Sequence, residues 1–318
     1  MSSSQSKVSQ DRNFHSDLAL ARFLPPFSVG PNTAKLARRM ARKDSPAPED
    51  VAIEEVLVPG LPGNPEVSLR VYRPVHLSHR APALFWLHGG GFVMGTPLLD
   101  ERSSIDFARE LGIVVVAARY RLSPDSPSPA AVEDAYAGLL GIVRDSERFG
   151  IDPDRIAIGG ASAGGGLTAA LALYAHDHGE VRPVFQLLVY PMLDDRTVLR
   201  TDIETRNLRG WTPRSNHFAW TAYLGHSPGA SDVSPYAAPA RRTDLTGLPP
   251  AWLGVGTLDL FYDEDLLYAE RLRDAGVPCE VVEIPGAFHG FDSVMARAGI
   301  SREFWKLQAH ALRRGLLD

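Results

Sequence analysis

Residues 156–166 read IAIGGASAGGG, and the fold of the chain can be worked out from this stretch. An apolar run ends there, glycines surround Ser162, and a helix-prone segment follows over residues 167–178. The inner pattern G-x-S-x-G predicts a sharp strand-to-helix turn that lifts the serine hydroxyl clear of a sheet. Glycines are expected because side chains at the flanking positions would collide with the neighbouring strand and helix. A turn of small residues without chemistry is the alternative, so other motifs must decide between the two.

The composition indicates a globular protein with a sizeable core. Of the 318 residues, 44% are hydrophobic and 22% are charged, which disfavours extensive disorder. The net charge of −5 argues against nucleic acid or an anionic membrane as a partner, because no basic excess is available to neutralise phosphates. Cys279 is the single cysteine, so an intramolecular disulfide is excluded, and its apolar surroundings predict a buried, inert thiol.

Signals for export or membrane insertion are not found in the sequence. The first seven residues are polar, and no apolar segment of the kind found in secretory signals follows them. The longest apolar run, residues 113–118, is too short to span a bilayer, so no stable membrane insertion is expected. We therefore expect a cytoplasmic protein.

Strand-like and helix-like segments alternate along most of the chain. Two alternating patterns, at residues 53–58 and 67–72, predict strands joined by a turn. Further strands are predicted at residues 83–87, 113–118, 156–158, 185–190, 251–256 and 280–284, with helices at 98–111, 130–149, 167–178, 260–275 and 302–316. This order predicts an α/β fold with a mostly parallel sheet and helices on both faces. In such sheets the chemistry lies in loops beyond the carboxyl ends of the strands.

Two segments interrupt the alternation. Residues 1–50 begin with a polar stretch, continue with scattered apolar residues, and contain a short amphipathic pattern at residues 33–43 that predicts a helix. The apolar residues of these two parts could not be buried within the segment itself. The segment must therefore pack on the main body or on a partner subunit. Residues 196–234 are long and aromatic where one strand–helix step is expected, and we interpret them as helices laid over the carboxyl edge of the sheet.

A glycine-rich motif follows the strand predicted at residues 83–87. Residues 88–92 read HGGGF, and successive glycines allow backbone N–H groups to turn toward a ligand. Acyl transfer needs such donors where the carbonyl oxygen becomes negative, and losing one typically lowers the rate by about 10²–10³. A plain flexible loop is the alternative. The presence of G-x-S-x-G in the same α/β pattern disfavours that alternative.

The serine needs a base, and the base needs a carboxylate that orients it. In this architecture the chain order is serine, acid, histidine. Asp259 lies just past the strand at residues 251–256 and is the preferred acid, while Asp263, one helical turn further on, is the runner-up. His289 lies in a loop just beyond a strand, whereas His310 lies in the terminal helix and is expected to be a surface or packing residue. These positions predict Ser162, Asp259 and His289 as catalytic residues.

Taken together, these motifs resemble the hormone-sensitive-lipase-like family of α/β-hydrolases, in its bacterial esterase branch. The matching stretches are residues 88–92 (HGGGF), 120–125 (YRLSPD), 160–165 (GASAGG), Asp259 with 263–264 (DE), and 289–291 (HGF). The resemblance extends from about residue 51 to the C-terminus. It implies an eight-stranded sheet and one α/β-hydrolase domain over residues 1–318, with a cap formed by residues 1–50 and 196–234.

The resemblance also implies how the reaction proceeds. It implies hydrolysis of carboxylic esters without a metal or cofactor, with an oxyanion hole formed by the N–H groups of Gly90, Gly91 and Ala163. Two positions depart from the family: Ala161 stands where Asp is usual, and Asp125 stands where Glu is usual. Neither residue transfers or orients the proton, so the departures put specificity and rate in question rather than the type of reaction.

A serine carboxylesterase acting on short-to-medium acyl esters is therefore the leading prediction, with a small-molecule ester as partner and no nucleic acid. Phe92, Met94, Trp211 and Phe218 are candidates for an apolar acyl pocket, although the same side chains could form the core of the cap. A lactone, amide or carbamate hydrolase would use the same residues. A non-catalytic binding protein is the other alternative, since plant gibberellin receptors resemble the family but lack the catalytic histidine. The resemblance is compatible with a homodimer.

Overall fold

The computed structural model describes residues 13–26, 28–39, 48–77 and 80–318. Its eight-stranded sheet is formed by β1 (Val51–Val58), β2 (Val67–Pro74), β3 (Ala81–Leu87), β4 (Val114–Arg119), β5 (Ile151–Ala161), β6 (Phe185–Val189), β7 (Ala251–Leu258) and β8 (Cys279–Phe288). The strand order is β1-β2-β4-β3-β5-β6-β7-β8. The pairs β1–β2 and β2–β4 are antiparallel, and the other neighbouring pairs are parallel. The predicted α/β-hydrolase fold with a mostly parallel eight-stranded sheet is confirmed.

Helices cover both faces of this sheet. The α-helices in the described ranges are α1 (Pro31–Arg39), α2 (Glu101–Leu111), α3 (Ala130–Arg144), α4 (Ser146–Phe149), α5 (Ala163–His178), α6 (Pro213–Leu224), α7 (Tyr262–Asp274), α8 (Phe291–Val294) and α9 (Gly299–Leu316). Helices α2 and α9 pack against each other, as do α3 and α5. Every residue of β3 and β6 is buried as a result, which explains why these strands are continuous apolar runs. Within the described ranges, no helix is long and apolar enough to cross a membrane.

The observed bounds differ from the predicted ones mainly at the ends of elements. The helix predicted at residues 130–149 is divided at Asp145 into α3 and α4. The strand predicted at 156–158 lies within the longer β5, whose first residue, Ile151, pairs with Ala81. Cys279 begins β8 and is buried, as expected, and this burial raises the pKa of its thiol to about 11.

The two segments that interrupt the alternation contact each other. The Val29 N–H donates to Ser215 Oγ over 2.8 Å, and this bond joins the N-terminal segment to α6. The predicted helix at residues 33–43 is α1, which ends at Arg39. Residues 196–234 contain most of a 3₁₀ helix (Asp195–Leu199) and α6, joined by turns. The parts of the first segment at residues 1–12, 27 and 40–47 lie outside the described residues.

The carboxyl ends of the parallel strands meet at one edge of the sheet. His88 directly follows β3, Ser162 follows β5, Tyr190 follows β6, Asp259 follows β7 and His289 follows β8. Because neighbouring strands are bonded in register, residues far apart in the chain lie side by side at this edge.

Candidate active site

Ser162 occupies the turn between β5 and α5. Its backbone angles are φ 59° and ψ −121°, an uncommon conformation for a residue with a side chain. A Cβ on Gly164 would lie 2.0 Å from the Leu87 carbonyl oxygen, and a Cβ on Gly160 would lie 2.4 Å from the Gly164 carbonyl oxygen. The close approach of the end of β3 therefore explains the glycines on both sides of the serine.

Ser162, His289 and Asp259 form a continuous chain of short contacts. Ser162 Oγ lies 2.8 Å from His289 Nε2, and His289 Nδ1 lies 2.8 Å from Asp259 Oδ2. The other Asp259 oxygen accepts the Phe261 N–H over 2.9 Å, which fixes the carboxylate. Because Asp259 can only accept while ionised, Nδ1 carries the hydrogen and Nε2 is left to accept the serine proton. All three side chains are buried.

The runner-up residues lie elsewhere. Asp263 has an exposed carboxylate that is paired with Arg200 over 2.6 Å. His310 is exposed on α9. The structure therefore places Asp259, and not Asp263, against His289.

Two aromatic rings hold the His289 imidazole from its sides. Phe261 packs edge-on at 5.1 Å between ring centroids, and Tyr190 packs at 4.9 Å. The Tyr190 hydroxyl donates to Asp292 over 2.7 Å, and burial raises the pKa of the Asp292 carboxyl. No sequence motif marks Tyr190 or Asp292 as part of the site. Their positions were the available signal: Tyr190 directly follows β6, and Asp292 lies three residues after His289.

A second group of carboxylates is buried on α7, behind Asp259. Glu264 Oε1 accepts the N–H groups of Leu193 and Asp194 over 2.7 and 3.1 Å. Burial raises the pKa of Glu264 to about 8, although these hydrogen bonds act in the opposite direction. Asp265 is fully buried, and its pKa lies well above the usual range because burial and the nearby Glu264 both disfavour its charge. Glu264 ties the segment after β6 to the helix that follows Asp259.

The glycine loop after β3 presents backbone donors beside Ser162. Gly90 and Gly91 have φ values of 118° and 63°. No hydrogen-bond acceptor for either N–H is found among the described residues. The Ala163 N–H is the first of α5, and a helix leaves its first N–H groups without an intrahelical partner. A Cβ on Gly89 would lie 3.6 Å from Ser162 Cβ, so this loop and the serine are direct neighbours.

His88 supports this loop rather than taking part in proton transfer. Its ring is buried, stacks on Tyr120 at 4.2 Å, and places Nδ1 2.8 Å from the Gly89 carbonyl oxygen. Burial lowers the pKa of His88 to about 4, so the ring is neutral at pH 7 and Nδ1 donates to Gly89. The Tyr120 hydroxyl donates to the His88 carbonyl oxygen over 2.7 Å. These contacts hold the start of the glycine loop in one conformation.

The four candidate pocket residues lie in different surroundings. Trp211 lies over the glycine loop, because a Cβ on Gly91 would meet its indole at 2.4 Å, and its ring is 6.3 Å from the His289 ring. Met94 is half-buried beside Gly90. Phe92 is fully buried and stacks at 3.9 Å on another aromatic ring, that of Tyr223. Phe218 is half-buried and packs against the core. Of the four, Trp211 and Met94 contact the glycine loop, at Gly91 and Gly90.

This fold and this arrangement of side chains are those of an α/β hydrolase. A family profile described as the alpha/beta hydrolase fold matches residues 84–293, and the chain belongs to that family, in its hormone-sensitive-lipase-like branch. The structure is similar to that of a bacterial heroin esterase, with a TM-score of 0.86 and 40% identity over 96% of this chain and 99% of the other.

Curated relatives support an enzymatic activity of the same class. The carboxylesterase NlhH of Mycobacterium tuberculosis is 33% identical over 267 residues, which cover 81% of this chain and 82% of the relative. An ethyl acetate hydrolase of Pseudomonas putida is 30% identical over 228 residues, which cover 70% of each chain. The chain is a carboxylic ester hydrolase.

Proposed function

We propose that the protein is a serine carboxylesterase that hydrolyses short-to-medium acyl esters through an acyl-enzyme intermediate. The observation that carries the proposal is the pair of 2.8 Å contacts that link Ser162 to His289 and His289 to Asp259. A nucleophile, its base and the group that orients the base are the three parts such a mechanism needs.

The reaction would proceed in two halves. Ser162 Oγ attacks the ester carbonyl carbon while His289 Nε2 accepts the hydroxyl proton, and a tetrahedral oxyanion forms. The oxyanion collapses, the bond to the alcohol oxygen breaks, and His289 returns the proton to the leaving alcohol. Water then attacks the acyl-serine with His289 again acting as the base, which releases the acid and restores the serine hydroxyl. Asp259 stabilises the imidazolium in both halves.

The N–H groups of Gly90, Gly91 and Ala163 are proposed as the oxyanion hole. The support is that Ala163 directly follows Ser162, that Gly89, just before the two glycines, lies against the Ser162 side chain, and that the described residues supply no acceptor for the two glycine N–H groups. Donors aimed at the developing negative charge, and already in place before the reaction, lower the barrier most in a site from which water is excluded. The burial of Ser162, 8% exposed, agrees with such a site.

Residues 1–50 and 196–234 are proposed as a cap on a single domain. The contact between Trp211 and Gly91 supports this, because a residue of the second segment then forms a wall directly above the oxyanion hole. A wall this close to the glycine loop limits the length of the acyl group that fits. We therefore propose short-to-medium acyl chains. One relative is named for the hydrolysis of ethyl acetate, a short ester.

Hydrolysis of 4-nitrophenyl acetate, butyrate, octanoate and palmitate by wild type and by Ser162→Ala tests the proposal. We expect a maximum at a short or medium chain and complete loss of activity in Ser162→Ala. The exposed Ser231 provides a matched control, and Ser231→Ala should retain wild-type rates. Mass spectrometry after rapid quenching should show one acetyl group on wild type and none on Ser162→Ala. Equal rates in wild type and Ser162→Ala would show that Ser162 is not the nucleophile.

A further inference from the structure

The side chain of Arg38 connects the N-terminal segment to the glycine loop. Arg38 lies on α1, and its Nε donates to the Val93 carbonyl oxygen over 2.6 Å. One terminal nitrogen donates to the Ser123 carbonyl oxygen, and the other is 2.6 Å from an Asp125 carboxylate oxygen. The Arg38 side chain is 25% exposed, so most of it is covered by these contacts. Three acceptors from two different loops therefore meet at one guanidinium group.

The loop that Arg38 holds has an unusual backbone. Three successive residues, Gly90, Gly91 and Phe92, have φ values of 118°, 63° and 60°. Glycine adopts such angles freely, whereas a bulky side chain such as that of Phe92 does so under strain. Strained backbone persists only where surrounding contacts determine it fully. The conformation of the glycine loop must therefore be held by contacts around Phe92.

The carbonyl groups at the end of the loop are held from two directions. The Ser123 N–H donates to the Phe92 carbonyl oxygen over 2.9 Å. Arg38 binds the next carbonyl along, that of Val93, and also binds the carbonyl of Ser123 itself. The guanidinium group thus bridges the two loops whose contact fixes Phe92. A planar fork with several fixed donors suits this bridging, which a single ammonium group cannot reproduce.

We propose that Arg38 is a positioning residue for the oxyanion hole. By fixing Val93 and Ser123, it holds the loop so that the N–H groups of Gly90 and Gly91 point at the developing oxyanion. This inference rests on the proposed function, since it assigns a role toward that reaction. It implies that the N-terminal segment contributes to catalysis as well as to covering the site, and that displacement of α1 loosens the oxyanion hole.

Steady-state kinetics of Arg38→Ala and Arg38→Lys with 4-nitrophenyl acetate test this role. We expect Arg38→Ala to lower kcat by about 10- to 100-fold, less than the loss of an oxyanion donor itself, while KM stays within about threefold. Arg38→Lys should fall between wild type and Arg38→Ala. Asp125→Asn should lower kcat less than threefold, because Asp125 is 77% exposed and an exposed ion pair contributes little. The neighbouring exposed Arg39 is the matched control, and Arg39→Ala should behave as wild type.

A second readout separates positioning from a merely structural role. A trifluoromethyl ketone forms a tetrahedral adduct with an active-site serine, so its affinity depends on the oxyanion hole. The inhibition constant of this ketone should rise in Arg38→Ala and Arg38→Lys by the same factor by which kcat/KM falls. Unchanged kcat and inhibition in a folded Arg38→Lys or Arg38→Ala protein, whatever its melting temperature, would overturn the inference. A fully active Ser162→Ala would instead overturn the proposed function.

Discussion

The carboxyl edge of the sheet and the N-terminal segment, one of the two segments proposed as a cap, differ in how tightly their residues are constrained. At the edge, a Cβ on Gly160 or Gly164 would collide with backbone atoms, and the residues that contact the serine are buried. In the N-terminal segment, a Cβ on Gly30 would meet nothing within 4 Å, and Leu20 and Phe23 are 68% and 71% exposed. Under the proposed function, the edge carries out the chemistry and the proposed cap selects the ester. In its proposed role, Arg38 couples the N-terminal segment to the edge.

After replacement of Ser162 itself, the largest effect is expected at the acid of the sheet edge. Asp259→Asn should lower kcat by about 10³–10⁴, because the amide cannot stabilise the imidazolium and favours the wrong tautomer of His289. Asp263→Asn is the matched control, since the same chemical change four residues away affects only an ion pair with Arg200. Kinetics with 4-nitrophenyl butyrate measure both variants. A larger loss in Asp263→Asn would show that the acid is misassigned.

One added methyl group should destabilise the protein at the sheet edge and have almost no effect in the N-terminal segment. Gly164→Ala places a Cβ 2.0 Å from the Leu87 carbonyl oxygen, so β3 and α5 must separate. We expect destabilisation by about 1–3 kcal/mol or more and loss of activity. Gly30→Ala should leave both stability and activity close to wild type. Urea unfolding and steady-state assays test the pair, and equal free energies of unfolding for the two variants would contradict the comparison.

A change in the proposed cap should alter the choice of substrate rather than the chemistry. Trp211→Ala removes the indole that lies over Gly91, so the acyl pocket becomes longer. We expect the ratio of kcat/KM for octanoate over acetate to rise at least about tenfold, the lower end of the effect of one methylene group in an apolar pocket. The two esters control for each other within the same variant. An equal loss for both would show that Trp211 holds the active-site loop instead of limiting chain length.

The buried carboxyl on α7 predicts a pH dependence of stability. In the folded protein the pKa of Glu264 is about 8, above its ordinary value of 4.5. Between these values the folded state keeps a proton that the unfolded state has lost, so this group makes stability fall as pH rises through that window, by at most about 1.4 kcal/mol per pH unit. Glu264→Gln keeps a neutral side chain and removes this titration. Urea midpoints should match wild type at pH 4.5 and exceed it at pH 9.

The smallest effect is expected on the exposed face of the N-terminal segment. Leu20→Ser and Phe23→Ser remove apolar side chains that are mostly exposed, so each should change stability by no more than about 0.5 kcal/mol. Hydrolysis of 4-nitrophenyl acetate should not change. A large fall in activity in either variant would show that this face packs against something essential, such as a second copy of the chain.

Local sequence patterns predicted much of the sheet edge. The glycines around Ser162, the HGGGF loop and the position of His289 all follow strands, so their nearness could be expected from the alternation of strands and helices. Asp259 could be preferred to Asp263 for the same reason. The contacts of Tyr190 with His289 and Asp292 could not be predicted, because they depend on how the side chain just after β6 packs against those that follow β8.

The sequence by itself determined the class of fold, the order of its strands and helices along the chain, and the residues proposed to carry the reaction. These features depend on neighbours in the chain: apolar runs that strands bury, and glycines that a tight turn requires. The tertiary structure alone decided which sheet neighbours the strands acquire, that Trp211 lies over Gly91, and that Arg38 reaches Ser123, 85 residues away. Such contacts depend on the packing of whole segments against each other, and no local pattern encodes that packing.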